Sequence, residues 1–255
     1  RAVNQVATEL QNEILHQIKD KLDDYVRVAH NINRLNAIAL AKGDINPDSA
    51  AGETVFWQQT QIFPTASFVY CGNEKGNLVG VGKMTNKVHL QTWVVNDSTN
   101  RIPYVYGLDD QGNRNREFDK GAEPFDARVR PWYKAAKEAR QPTWSPIYLG
   151  FTTHWPAIAT SIPVYDSSGR TLIGACGIDF LLPQEMSQFL KSLNIGKTGS
   201  AFIIERSGTL VSTSTAEPIV ENTSDDSERL LANQSSNSTI RATADFLEQR
   251  FDGFD

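Results

Sequence analysis

The sequence predicts an α+β fold: one long helix, then a series of antiparallel hairpins with a short helix across one face, then a smaller C-terminal module. Three observations predict it. Residues 2–41 carry an unbroken helical period. Residues 66–181 switch to short strand-like runs divided by turns of Asn, Asp and Gly. A proline-led helix interrupts those runs at Pro131.

In the long helix, apolar residues recur at steps of three and four, from Val3 and Leu10 through Ile18, Ala29, Ile32 and Leu35 to Ala39. No proline intervenes, and Gly43 stands where a C-terminal cap belongs. At 1.5 Å per residue such a helix is roughly 60 Å long, more than one small domain covers. It therefore bridges two modules, pairs with a second copy of the chain as a homodimer, or does both. Asp48 or Ser49 is placed to cap a shorter helix over residues 50–61. Residues 66–71 and 78–84 flank the turn Asn73-Glu74-Lys75-Gly76, a hairpin signal. Residues 88–95 and 102–108 read as further strands, followed by the turn Asp109-Asp110-Gln111-Gly112-Asn113. The helix near Pro131 runs to about residue 139, with proline in the first turn where it is tolerated. Strands follow at 145–151, 157–165 and 171–181, the last two joined by Asp166-Ser167-Ser168-Gly169. Residues 183–193 form a linking helix, and 199–205 with 209–213 a hairpin about Ser207-Gly208. A polar stretch then precedes a helix over 228–251. The expected organisation is a long helix at 1–45, a main module at 46–182, and at 183–255 a linker helix with a second module that reads as incomplete, since a hairpin with one helix buries little surface.

Bulk properties narrow the function. The net charge of −5 argues against nucleic-acid binding, which needs a basic face. No run of about 18 apolar residues is present, so nothing here reads as a membrane span. The chain begins at Arg1 and reads as an excised or processed fragment. Cys71 and Cys176 sit in strand-like runs and are most simply buried apolar side chains, with a disulfide as the alternative. His16, His30, His89 and His154 lack metal-ligand spacing, so no metal or cofactor is expected. Gly196-Lys197-Thr198 lacks the upstream glycine of a phosphate loop and reads as a turn. Asp23-Asp24, Asp109-Asp110 and Asp225-Asp226 read as solvated pairs. With no nucleophile–base pair, an enzyme is the weakest reading.

The most informative stretch is residues 125–179. Arg130 offers a planar fork of donors suited to a carboxylate. Asp179 offers acceptors for an ammonium, and Trp132, Tyr133 and Tyr148 supply aromatic walls. Together they form a set able to grip a small zwitterion. The order R-x-W-Y-x-x-A opening a helix, then a strand Tyr, then G-I-D in a later strand, resembles the double Cache sensor domain, a PAS-like extracytoplasmic input module of bacterial chemoreceptors, sensor histidine kinases and cyclases. The resemblance covers most of the chain. It implies that Arg130 and Trp132 hold a ligand carboxylate, that Tyr148 and Asp179 hold an amino group, and that Tyr133 helps wall the pocket. Two departures stand out. Phe125 takes the place of a frequent Tyr and loses its hydroxyl, and Gly150 stands where some members carry an acid, which leaves amine recognition mainly to Asp179.

Singly, each residue has a plainer role. Arg130 is solvated or paired with Asp126, Trp132 and Tyr133 pin a helix to the sheet, and Asp179 caps the helix near Pro183. As an ordered set they favour a ligand site. The expected function is a periplasmic, non-catalytic sensor domain of a membrane-anchored receptor, with flanking membrane helices outside this chain. Its partner would be an amino acid, amine or small carboxylate. Closure of the loops near Arg130 and Trp155 would then shift the long helix. The competing reading is a structural or protein-interaction module in which the same set is only packing.

Overall fold

The computed structural model describes residues 2–83, 90–151, 155–193, 195, 199–222 and 227–251. The Gly196-Lys197-Thr198 turn, the Asp225-Asp226 pair, His89 and His154 lie outside them. The chain divides into two compact units. The larger comprises Asp24–Thr153 and Ala157–Phe180, and the smaller Arg1–Asp23, His154–Pro156 and Leu181–Asp255. The fold is α+β, with the long helix first and antiparallel strand pairing after it.

Helix α1 spans Ala2–Lys42, and α2 spans Glu53–Ile62. The first strands are β1 (Phe68–Asn73), β2 (Leu78–Lys83), β3 (Leu90–Val95), β4 (Tyr104–Leu108) and β5 (Arg114–Lys120). Helix α3 (Pro131–Ala139) precedes β6 (Thr143–Trp144), β7 (Tyr148–Leu149), β8 (Pro156–Tyr165) and β9 (Leu172–Leu181). These nine strands form one sheet in the order β5-β4-β3-β2-β1-β9-β8-β6, with β7 beside β8. The chain builds outward from β1 to the β5 edge and returns through α3. It then re-enters the sheet on the other side of β1, so β1 and β9 lie side by side with Phe68 opposite Asp179 and Tyr70 opposite Gly177. Because strand side chains alternate faces, Tyr70, Trp93, Val95 and Ala175 point to the face that α3 covers with Trp132, Tyr133 and Ala136. The opposite face carries Cys176, Ile178 and Phe180, the last edge-on to Phe63 just after α2.

Several expectations need correction. Cys71 and Cys176 are not separate buried side chains. The β1/β9 register sets them directly opposite each other, and they are disulfide-bonded with Cα atoms 4.0 Å apart. The buried stripe of α1 is also offset from the apolar period. Ala29, Asn33, Asn36 and Leu40 are buried, while Leu35 is 63% exposed. The two asparagines are held by polar partners rather than by apolarity, although the Asn33 side-chain oxygen is buried without one. Asn33 donates to the Thr160 carbonyl at 2.9 Å, and Asn36 exchanges amide hydrogen bonds with Gln59. Helix α2 begins after Gly52, not after an Asp48 or Ser49 cap. Asp48 instead accepts from Asn73 and Asn77 and pairs with Lys75 at 2.6 Å, stapling the β1–β2 turn. Strand β5 was not expected, because its sequence Arg-Asn-Arg-Glu-Phe-Asp-Lys has no apolar alternation; it is an edge strand, where charge is tolerated.

The smaller unit contains α4 (Leu182–Ser192), the paired strands β10 (Phe202–Ile204) and β11 (Leu210–Thr213), the pair β12 (Val220–Asn222) and β13 (Ser227–Arg229), and α5 (Ser238–Phe251). The last helix starts ten residues later than its period predicts because the Asn237 side chain caps it, accepting from the Thr239 and Ile240 amides. Arg229 is drawn into a strand, where it pairs with Glu205 at 2.6 Å and donates to the Leu210 carbonyl. Leu210, Ile219, Leu230, Ile240 and Ala244 give this unit a core of its own.

Candidate functional site

The segment that carries Arg130 is shaped locally. Asp126 accepts a hydrogen bond from the Arg128 amide and caps a short turn of helix at Ala127–Val129. Pro131 then occupies the first turn of α3, and the residue before a proline is pushed out of the helical region. Arg130 accordingly has an extended backbone, φ −75° and ψ 146°, and its side chain leaves the helix start rather than lying along it. Its guanidinium carbon sits 5.1 Å from the Phe151 ring centre and 5.8 Å from that of Phe125, and these two rings meet edge to face. Among the described residues no carboxylate lies within ion-pair distance of Arg130. Asp126, its partner in one of the plainer alternatives, pairs with Arg128 at 2.6 Å.

Trp132 and Tyr133 follow on the buried face of α3. Trp132 stands edge-on to Tyr70 with ring centres 4.7 Å apart. This close approach needs Gly72 in β1, where a Cβ would lie 2.8 Å from Ala127 and 3.1 Å from the Trp132 ring. Tyr133 is buried in the same cluster, but its hydroxyl donates to Glu74 at 2.8 Å and not to Asp179. Burial and the Glu74 carboxylate push that phenol well above its ordinary range. The residue thus contributes a wall through its ring and ties α3 to the β1–β2 turn through its oxygen.

Asp179 is the acidic pole. Its Oδ1 accepts from Tyr70 at 2.5 Å and from Tyr148 at 2.7 Å. It does not cap the following helix, whose cap position is Leu181. Burial raises its carboxyl to about 6, against the opposing pull of the two tyrosine hydrogen bonds and the positive charge of Arg130. Both tyrosine hydroxyls are in turn pushed up by burial and by the Asp179 charge. The structure therefore brings Phe125, Arg130, Trp132, Tyr148 and Asp179 to one aromatic-walled region of the larger unit.

Three of its members were not anticipated from sequence: Tyr70, Phe68 and Phe151. Phe68 stacks beside Tyr70 at 4.9 Å and meets Trp93 at 5.5 Å. The available signal for Tyr70 was the glycine of G-I-D. A Cβ at Gly177 would lie 2.7–2.9 Å from the Tyr70 ring and hydroxyl, so the glycine is what lets that ring cross β9 and reach Asp179. On the opposite face a polar concavity runs between Asp48–Ala50 and Asn96, Tyr104, Tyr106 and Arg114. Its charged groups are already engaged, Arg114 with Glu53 and Asp48 with Lys75.

Comparison with known proteins places this geometry in a family. The Cache domain family (dCache_1) matches residues 1–249. Methyl-accepting chemotaxis protein McpG of Pseudomonas putida KT2440 is 31% identical over 105 residues, which is 41% of this chain and 16% of that protein. McpA of the same organism is 27% identical over 119 residues, 45% of this chain and 18% of the relative. The chain thus spans under a fifth of the length of these curated relatives. Among solved structures, the ligand-binding domain of Campylobacter jejuni chemoreceptor Tlp3 with 4-methylisoleucine shares the fold at a TM-score of 0.52 and 14% identity, covering 80% of this chain and 69% of that one. The same domain with L-norvaline gives 0.51 and 17%, covering 81% and 70%. With a family match running nearly end to end, a shared fold and chemoreceptor relatives in sequence, the chain belongs to the Cache domain family.

Proposed function

We propose that this domain is the extracytoplasmic ligand-binding module of a bacterial transmembrane signalling receptor, and that it binds a small amino-acid-like zwitterion between Arg130 and Asp179. The observation that carries the reading is a pair of opposite charges among one set of aromatic side chains, neither of them in an ion pair among the described residues. Arg130 lacks a carboxylate partner among the described residues, and the Asp179 carboxylate accepts its two tyrosine hydrogen bonds through Oδ1. Opposite charges removed from water need partners, and a zwitterion supplies both. Trp132 and Tyr148 would complete the carboxylate and ammonium ends, with Phe125 and Tyr133 as walls. Tlp3, whose domain holds 4-methylisoleucine or L-norvaline in the solved structures, takes ligands of this class.

The domain itself is read as non-catalytic, without metal or cofactor, and anchored through membrane helices flanking this chain. Among the described residues no helix is long and apolar enough to cross a membrane. A homodimer through α1 is part of the reading, supported by the exposure of Leu10, Leu15, Leu35 and Ile38 along that helix. The test is a thermal-shift and calorimetric screen against amino acids, amines and small carboxylates, repeated with Arg130→Ala. That variant should fold normally, since Arg130 makes no side-chain cap bond. It should lose affinity for carboxylate-bearing ligands about 100-fold, in line with roughly 2–3 kcal/mol for a charge-assisted contact. Equal binding by both proteins would remove Arg130 from the site.

A further inference from the structure

Tyr70 lies on β1, far in sequence from the segment that supplies the other polar groups of the site, and is almost wholly buried, with 1% of its surface exposed. Its hydroxyl donates to Asp179 Oδ1 at 2.5 Å, and Tyr148 donates to the same atom at 2.7 Å. A carboxylate oxygen has two lone-pair positions, so two phenol donors fill it. The Tyr70 ring is held for this task from both sides. Trp132 packs edge-on at 4.7 Å, and Gly177 leaves open the space over β9 that any larger residue would occupy.

We propose that Tyr70 is a positioning residue of the site: with Tyr148 it saturates Asp179 Oδ1, so that Oδ2 is the carboxylate oxygen left for a ligand's cationic nitrogen. This rests on the reading of Asp179 as the ammonium partner. A single free oxygen suits a tetrahedral ammonium, which needs one acceptor in a given direction. It disfavours a guanidinium or amidinium group, whose paired donors call for both oxygens at once. The arrangement also keeps the buried carboxylate charged near neutrality. The charged or titratable groups that reach Asp179 are Tyr70 from β1, Tyr148 from β7 and Arg130 at the start of α3, and all three favour its ionised form against burial.

The experiment is a carbon-13 carboxyl NMR titration of Asp179 in the unliganded domain, in wild type and in Tyr70→Phe. Phenylalanine keeps the ring packing and removes only the donor. The midpoint should move up by about one pH unit, the scale of one hydrogen bond to a charged group. Gly177→Ala is the second variant. Its Cβ would displace the Tyr70 ring without altering Tyr70 or Asp179, and it should shift the midpoint in the same direction. A role in packing alone would lower the melting temperature and leave the midpoint where it was; that result overturns the proposal. The parent reading is tested separately by the binding of L-alanine, GABA and 4-guanidinobutyrate to wild type and Asp179→Asn. If none binds, or if Asp179→Asn binds them equally, the ligand site is wrong whatever the titration shows. If 4-guanidinobutyrate binds wild type better than GABA, Oδ1 is not saturated and the Tyr70 role fails.

Discussion

A charged residue kept partly out of water for a ligand's sake should weaken the empty fold, and Asp179 gives a way to measure this. Its carboxyl is raised from 3.8 to about 6 in the folded chain. Between those values the folded state retains a proton that the unfolded state has released, so stability falls as pH rises through this window. Above it, the ionised group costs the unliganded domain up to roughly 3 kcal/mol. Asp179→Asn keeps an acceptor for both tyrosine hydroxyls and removes the charge. It is expected to raise unfolding stability in urea by about 2–3 kcal/mol at pH 7.5 and to match wild type near pH 4. No gain at pH 7.5 would mean that the carboxylate is not destabilised in the fold. Amine affinity follows the same titration with the opposite benefit: it should be full above pH 7 and decline as Asp179 is protonated below about pH 6. At this scale the sequence was legible as far as grouping goes: Arg130, Trp132, Tyr148 and Asp179, read as one ordered set, lie in one region of the larger unit. Tyr70 was not, because a strand tyrosine acquires its partner only once β1 is laid beside β9.

Elements carry the next constraint, since the site is only as exact as the register of β1 against β9. That register is locked by the disulfide between Cys71 and Cys176, one step along from the Tyr70–Gly177 pair and separated by 105 residues in sequence. Closing so long a loop restricts the unfolded chain strongly; the chain-entropy scale gives about 4–5 kcal/mol, and measured effects are commonly about 2–4. Cys71→Ala/Cys176→Ala should therefore lower unfolding stability by about 2–4 kcal/mol in a urea titration, with the larger unit losing its structure first. A loss below about 0.5 kcal/mol would show that strand pairing alone sets the register. Strands and helices were mostly legible from period and turn chemistry: the β1–β2 turn, the proline start of α3 and the β8–β9 hairpin all lie where local signals put them. Three of the misreadings share one cause. The buried face of α1 turns on Asn33 and Asn36, β5 on its place at an edge, and the start of α5 on the Asn237 cap. In each case a polar side chain is used in a way that hydrophobic period cannot register.

For the molecule as a whole, the proposed reading gives the two compact units separate tasks. The proposed ligand residues, Phe125, Arg130, Trp132, Tyr133, Tyr148 and Asp179 together with Tyr70, all fall within the larger unit, whereas the smaller has its own core around Leu210, Leu230 and Ile240. Ligand affinity should thus belong to the larger unit alone. Helix α1 has long stretches in both, Arg1–Asp23 in one and from Asp24 onward in the other, so under the proposed sensor reading it would be the carrier of a signal. A carrier needs a ligand that prefers one arrangement: moving a population from 1:99 to 99:1 takes about 5.5 kcal/mol of preference. A fragment of residues 24–180, measured by calorimetry against a ligand found with the full chain, should bind within about threefold of it, since every proposed contact is retained. Its melting temperature should also rise with ligand as far as that of the full chain does. A loss of tenfold or more in the folded fragment would place part of the binding free energy in the smaller unit. The two tasks would then not be separable, and the conformational preference would have to be sought in residues outside the Arg130–Asp179 enclosure.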